Sequence, residues 1–407
     1  MSLALNAGVR FDRFQPFLPE QTNPPGVVTP RTVTFPEVNP LIEWNVFSPR
    51  LSVAYALTKD SKTLAKASYG VYPTVPSPEL GFNANPNSNQ PWTRYQWMDD
   101  NGDGFWQPGE QRATIATSGR EAIDPELKLP FTREATLDVE RELRGGVALR
   151  SGVVWRGLRR PYLRQNDSQP WSAYSIATVF RDPGPDNELG TADDGRDITA
   201  YALPSDLPPA SHVVRNVPGA RTDHWTWEIT AVKRFRRPWS LMAGFANTWS
   251  RDHAAGYAGQ AVRQNMYPLT PNDLINTGDD GRHEFSVWSA KIHGTYHAPW
   301  DIRITPFLRH QSGQPFGRTL EVSLSGITRI LAEPIGTRRM DHVTIFDLRV
   351  EKGFEVSSLG RAAIFVDAYN LLNANSEQNI SWVTGQDFRP LTIVPPRIAR
   401  IGVRLDW

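Results

Sequence analysis

The chain has 407 residues, with 44 Lys and Arg against 43 Asp and Glu, so no global field points to nucleic acid or to an anionic surface as its partner. Cysteine is absent, which excludes a disulfide scaffold, thiolate metal sites and a cysteine nucleophile. Mean hydropathy is negative and no run approaches the ~20 consecutive apolar residues of a membrane helix, which excludes a helical membrane protein but not a β-barrel, whose strands are only half apolar.

Alternation of apolar and polar side chains begins at once. Leu3, Leu5, Ala7, Val9 and Phe11 stand against Asn6, Gly8, Arg10 and Asp12, with no leader pattern before them, so the chain is expected to begin inside a strand. Further strands are predicted over 45–57, 63–73, 131–143, 147–160, 224–235, 239–250, 284–297, 301–311, 341–352, 361–373 and 396–407. That makes about twelve, each about as long as a tilted membrane strand. Short connections (59–62, 144–146, 236–238, 298–300 and 357–360) alternate with long ones (15–44, 74–130, 161–223, 251–283, 312–340 and 374–395). A soluble sandwich accounts for alternating faces as well. Tight turns at one end and long loops at the other are instead the pattern of a bacterial barrel, with short periplasmic turns and long extracellular loops.

The strand faces agree. Trp227, Ile229 and Ala231 oppose Glu228 and Thr230; Trp288, Ala290, Ile292 and Tyr296 oppose Lys291, His293 and His297; Phe346, Leu348 and Val350 oppose Asp347, Arg349 and Glu351. Charges of both signs on one face suit a solvated lumen and would be costly in a dry core. Trp155, Trp225, Trp239, Trp249, Trp300 and Trp407 stand near strand ends, where aromatic girdles form. In the last strand Ile401, Val403, Leu405 and Trp407 share the apolar face and are the candidate membrane-insertion residues; Arg400, Gly402, Arg404 and Asp406 share the other. The expected fold is all-β, an antiparallel up-and-down transmembrane β-barrel of about twelve strands occupying 1–407, with the loops 74–130 and 161–223 extracellular.

Several segments together resemble a known family. They are Leu5-Asn6-Ala7-Gly8-Val9-Arg10-Phe11-Asp12 with Phe17-Leu18-Pro19-Glu20-Gln21, then Phe47-Ser48-Pro49-Arg50 and Ala67-Ser68-Tyr69-Gly70. Later come His310-Gln311-Ser312-Gly313-Gln314-Pro315-Phe316-Gly317-Arg318, Phe365-Val366-Asp367-Ala368-Tyr369-Asn370-Leu371-Leu372-Asn373, and Pro396 to Leu405. In order and spacing these resemble the TonB-dependent outer-membrane receptors, specifically their Oar-like β-barrel branch. The resemblance implies a barrel of about 22 strands plugged by an N-terminal domain, taking up scarce ligands with energy from an inner-membrane complex. Neither a plug nor a TonB box matches within these residues. The chain is therefore expected to be the C-terminal part of such a barrel in the cell outer membrane, with outer-membrane lipid, the barrel-assembly machinery and a ligand of unspecified identity as partners. The energy-coupling complex is expected only where a plug lies upstream.

One loop carries a metal-type motif. Asp99-Asp100-Asn101-Gly102-Asp103-Gly104-Phe105-Trp106-Gln107-Pro108-Gly109-Glu110 fits D-x-[DN]-x-[DN]-G-x5-E without a mismatch. Asp99, Asn101 and Asp103 would offer side-chain oxygens, Phe105 its carbonyl, Gln107 a ligand directly or through water, and Glu110 two oxygens, a set suited to a structural Ca2+. No helix is expected on either side, so this would be an isolated calcium loop. The segment 182–197 is also acidic and glycine-rich, but turn chemistry alone explains such clusters. No nucleophile elbow, zinc helix or phosphate-cradling loop appears, so no enzyme is expected. His293 and His297, ~13 Å apart along a strand, are too far apart to share a metal. The alternatives carried forward are a self-contained pore or adhesion barrel and a secreted, calcium-stabilised β-protein that binds carbohydrate.

Overall fold

The computed structural model describes residues 2–26, 29–88, 90–119, 121–236, 238–253, 269–278, 281–356, 360–386 and 388–406. Twelve strands form one antiparallel sheet in which each pairs with its neighbours in the chain. They are β1 Leu3–Phe14, β2 Trp44–Ala56, β3 Thr63–Pro73, β4 Phe131–Leu143, β5 Val147–Arg159, β6 Arg221–Arg236, β7 Trp239–His253, β8 His283–Ala298, β9 Ile302–Gln311, β10 Val343–Glu355, β11 Arg361–Tyr369 and β12 Ile398–Asp406. All twelve predicted segments are strands, and short turns and long loops separate to opposite ends as expected. At the turn 144–146 both Gly145 (φ 76°) and Gly146 (φ 75°) take the left-handed backbone, which any side chain would resist. Trp407, Asp279, Asp280 and residues 357–359 lie outside the described residues.

Some boundaries differ from expectation. β11 ends at Tyr369 rather than near 373, because Asn370 (φ 47°) and Asn373 (φ 53°) turn the chain. The buried Asn370 amide donates to Ala374 O and Pro395 O, both at 2.8 Å, and its carbonyl accepts from Ala374 N at 2.9 Å. One side chain thus ties together the two ends of the last loop.

Register decides the faces. Leu5 lies opposite Val53, Val53 opposite Ala67, Ala67 opposite Leu137, Leu137 opposite Val153 and Val153 opposite Trp227. At the far side Ile304, Val350, Val366 and Ile401 continue one row. The apolar face therefore runs across most of the sheet, with Asn247 entering it on β7 opposite Trp227, and its side chains are exposed: Leu5 65%, Leu137 58%, Ile401 76%. The opposite face is polar. Ser68 bonds Thr136 at 2.7 Å, and Thr226 bonds Thr248 at 2.9 Å. Glu351 bridges Arg303 and Arg404 (3.2 and 3.1 Å), and Asp367 bridges Arg349 and Arg400 (2.6 Å each). Such cross-strand pairs fix neighbouring strands without apolar burial. β1 and β12 are the two edges of the sheet, and among the described residues no backbone pairing joins them.

Candidate functional site: the long-loop assembly

The buried apolar clusters lie at the long-loop end. Ile42 and Trp44 from the first loop and β2, Leu80, Leu127 and Leu129 from the loop 74–130, and Val214 from the loop 160–220 form one. The Trp44 indole N–H donates to Leu127 O at 2.7 Å. Ile198 and Ala200 pack with Leu320, Val322, Ile330 and Ala332 of the loop 312–342. Phe316, Leu331 and Met340 pack with Ile380 and Trp382 of the last loop. Each fully buried side chain of this size contributes about 1.5–3 kcal/mol, enough for the loops to hold one another. They do so through short hairpins such as Ile176–Arg181 with Asp197–Ala202 and Thr319–Ser323 with Ile327–Leu331.

A buried ion pair joins three of these loops. Arg318, 4% exposed, donates through both terminal nitrogens to the two oxygens of Asp182, 3% exposed, each at 2.7 Å. The same guanidinium donates to Thr384 Oγ1 at 2.9 Å and to Gly184 O at 3.2 Å, while the Arg318 backbone N–H donates to Glu333 Oε1 at 3.0 Å. Burial disfavours the Arg318 charge, but the hydrogen bonds and charge of Asp182, with Glu333 and Asp193, outweigh it and raise its pKa. The acidic segment 182–197 thus folds around a guanidinium. Gly195 N donates back to Asp182 O at 2.9 Å, and Thr191 donates to Asp193 at 2.6 Å.

The motif 99–110 forms the tip of a β-hairpin between Thr93–Trp97 and Gln111–Thr117, flanked by strands rather than helices. Asp99 accepts from Gly102 N (2.7 Å) and Gly104 N (2.8 Å), Asn101 from Asp103 N (3.0 Å), and Asp103 from Phe105 N (2.8 Å). Glu110, 5% exposed, accepts from Gln107 N and the Trp97 indole, each at 3.0 Å. The Gln107 side chain donates to Asp103. The backbone N–H of Gly104 holds the Asp99 carboxyl below its usual range. The candidate ligands thus share one small loop, but their oxygens are engaged by backbone amides. Among the described residues no three His, Cys, Asp or Glu side chains converge closely enough to hold a metal.

His293 and His297 lie on the polar face. His293 faces Phe307 and contacts Met242 Sδ at 3.2 Å, and His297 lies opposite Arg303. Ile401, Val403 and Leu405 stand exposed on the apolar face of β12. Sequence reasoning passed over Arg318 as a site residue. It belongs to a stretch noted only for its resemblance, and nothing local marks a residue that meets Asp182 across 136 positions.

A sheet apolar on one face and polar on the other, with one end turned tightly and the other capped by folded loops, defines an outer-membrane β-barrel protein. The family of outer membrane beta barrel domains matches residues 1–317, and the chain belongs to it. The protein resides in the outer membrane, which removes the secreted β-protein from consideration. No curated protein matches the sequence. Among solved structures, the outer membrane transporter YddB from Escherichia coli is similar at 10% identity and a TM-score of 0.54, over 91% of this chain and 42% of that one. The ferric-catecholate import receptor Fiu from E. coli K12 aligns at 13% identity and a TM-score of 0.47, over 98% and 42%. The FrpB iron transporter from Neisseria meningitidis (F5-1 variant) aligns at 11% identity and 0.48, over 98% and 43%. The chain spans less than half the length of these proteins.

Membrane placement gives the aromatic residues a frame. Trp155, Trp225 and Trp249 lie side by side in register near the long-loop end, whereas Trp239 lies opposite Tyr296 at the short-turn end. Trp239 and Trp249 are ten residues apart on β7. At a rise of ~3.3 Å per residue and a tilt of ~40° that separation is ~25 Å along the membrane normal, the height of the apolar band.

Proposed function

We propose that this chain forms part of the barrel of a TonB-dependent-type receptor of the Oar-like branch, serving uptake or surface binding of a ligand at its long-loop end. The observation that carries the reading is the loop assembly itself. A plain pore needs an open mouth, whereas here three loops are locked together by Arg318, Asp182 and Thr384. Supporting it, β1 and β12 are open edges of the described sheet; an unpaired edge is not tolerated in lipid, and a barrel of about 22 strands would pair both. No step of ligand gating is assigned to residues of this chain, and the energy-coupling complex and the barrel-assembly machinery are its proposed partners in the envelope.

Because the chain has no cysteine, strand neighbours can be tested with introduced pairs. Ala7→Cys with Leu51→Cys, which face each other, should cross-link within one chain. Pairs joining Leu5, Ala7 or Val9 of β1 to Ile401, Val403 or Leu405 of β12 should not. Efficient intrachain β1–β12 cross-linking, with discrete channel conductance in planar bilayers, would instead establish the self-contained pore.

We further propose that Ca2+ binds the loop 99–110 through Asp99, Asn101, Asp103, Phe105, Gln107 and Glu110. The all-oxygen donor set suits a hard cation. Binding would draw the carboxylates off their amide partners toward a common centre, rigidifying the hairpin tip.

A further inference from the structure

We propose that the hairpin tip 99–110 carries a self-modifying residue. In the folded protein Asn101 loses its side-chain amide to attack by the Gly102 backbone nitrogen and becomes isoaspartate or aspartate, with water as the only other reactant. The inference rests on neither the uptake reading nor the calcium reading above.

Asn101-Gly102 is the single Asn-Gly step in the chain. Attack of a peptide nitrogen on the preceding side-chain amide needs a following residue that does not crowd the new ring, and open space lies where a Gly102 Cβ would stand. Gly102 also takes the left-handed backbone (φ 72°), which a side chain would resist. Asn101, Gly102 and Asp103 are all exposed, so water reaches the site.

The loop holds both reacting groups. The Asn101 side-chain oxygen accepts from Asp103 N at 3.0 Å. That bond folds the side chain back over its own peptide in an Asx turn and draws electron density away from Cγ. The Asn101 side-chain nitrogen donates to Asp103 Oδ2 at 3.0 Å, so the amide is pinned at both ends. The attacking nitrogen is held as well. Gly102 N donates to Asp99 Oδ1 at 2.7 Å, a charge-assisted bond that shifts electron density onto the nitrogen. Asp99 is fixed in turn by Gly104 N at 2.8 Å, and Arg112 grips the neighbouring Asp100. Orientation of this kind replaces the conformational search that an unfolded Asn-Gly must make.

The step needs no oxidant and no further reactant. Gly102 N bonds to Asn101 Cγ and passes its proton to water, while the amide nitrogen takes a proton from water and leaves as ammonia. The resulting five-membered imide then adds water at either carbonyl. Opening at Cγ leaves aspartate; opening at the main-chain carbonyl leaves isoaspartate, whose backbone runs through Cβ. One water is consumed and one ammonia released. Isoaspartate inserts an extra atom into the main chain between Asp99 and Gly102, so the bonds from Gly102 N and Gly104 N to Asp99 lose their register.

The test incubates the full chain, folded in phosphatidylcholine bicelles, in mildly alkaline buffer beside the same chain unfolded in urea. EDTA keeps cations off the loop oxygens. Conversion is read by peptide mapping with electron-transfer fragmentation and by isoaspartate methyltransferase labelling. Asn101 should convert about threefold or more faster in the folded chain than in the unfolded one, and ahead of every other Asn. D99A should bring the folded rate down to the unfolded value, with D99N, which keeps a neutral acceptor, between the two. G102A should slow conversion of the folded chain at least ~10-fold. Protection of the Met98 amide, which donates to Glu110 O at 3.1 Å, reports whether the hairpin is kept; if D99A loses it, D99N alone carries the comparison. A folded rate at or below the unfolded one, or a folded rate that the Asp99 variants leave unchanged, would overturn the proposal.

Discussion

Arg318→Met is the sharpest probe of the loop assembly. The substitution keeps most of the aliphatic stem but removes two 2.7 Å bonds to Asp182 and those to Thr384 and Gly184. Asp182 is left buried, with the Gly184 N–H still donating to its carboxylate at 3.1 Å. Removing one partner of a buried pair costs about 3–5 kcal/mol, chiefly through the uncompensated charge. Amide exchange at the inter-loop bonds Thr319 N to Trp382 O and Thr384 N to Thr319 O should accelerate roughly 100- to several-thousand-fold. Exchange in β4 and β5 should not change. The double variant R318M/D182L, which removes both charges, should regain most of the protection, because a well-packed apolar pair replaces a buried ion pair at little net cost. Exchange at Thr319 and Thr384 within about threefold of the parent in R318M, or a double variant as damaged as the single, would refute the reasoning.

Asp99→Ala with Glu110→Ala should abolish Ca2+ binding in the micromolar-to-millimolar range of extracellular modules; unchanged titration heat would retire the calcium proposal. His212, 3.1 Å from Glu121, has its pKa lowered, first by burial and then by Arg164, with Glu121 opposing. Its neutral form is therefore favoured by folding, and its contribution is full above the unfolded value near 6.5 and lost as pH falls below it. The small sheet of Glu121–Ile123, Tyr162–Asn166 and His212–Asn216 should loosen below about pH 6.5, and His212→Gln should flatten that dependence in proteolysis of the loop. Gly184→Ala forces a side chain onto a left-handed residue (φ 71°), with its Cβ 2.5 Å from Asp193 O. It should cost about 2 kcal/mol or more, visible as faster exchange across 182–197 while the strands keep their circular dichroism.

The membrane strands were legible because a period of two is repeated over ten or more residues and then broken by Gly, Pro and Asn. At Leu5, Leu137 and Ile401 the same alternation that announced a strand also announced its face, since lipid and water divide the two sides without help from tertiary packing. The loops were not legible in this way. Hairpins as short as Gln21–Asn23 with Val33–Phe35 contain too few residues for a period to register, and their partners are set by distant burial. Arg318 and Asp182 illustrate the limit: each is an ordinary polar residue in its own window, and only the packing of three loops turns them into a pair. The motif 99–110 was legible as a loop, because its Asp and Asn side chains satisfy backbone amides locally. That same local satisfaction is why the motif by itself does not separate a calcium site from a well-formed turn.

The placement of apolar surface explains why the loops carry cores of their own. In a soluble domain the apolar faces of strands supply the core, but here those faces are spent on lipid, and Ile401 at 76% exposure contributes nothing to internal packing. The loops must therefore build their own small cores, each of five or six buried side chains. Two of those cores join neighbouring loops, and the ion pair adds a polar tie between the same loops. Arg318, with donors spread over a planar fork, satisfies acceptors from Asp182, Gly184 and Thr384 at once. The sheet below is held differently, by backbone pairing and by cross-strand bridges such as Asp367 with Arg349 and Arg400. Two systems of forces thus meet at the strand ends, and loosening the loops should leave the strands standing. That separability allows the long loops to vary while the membrane sheet stays the same.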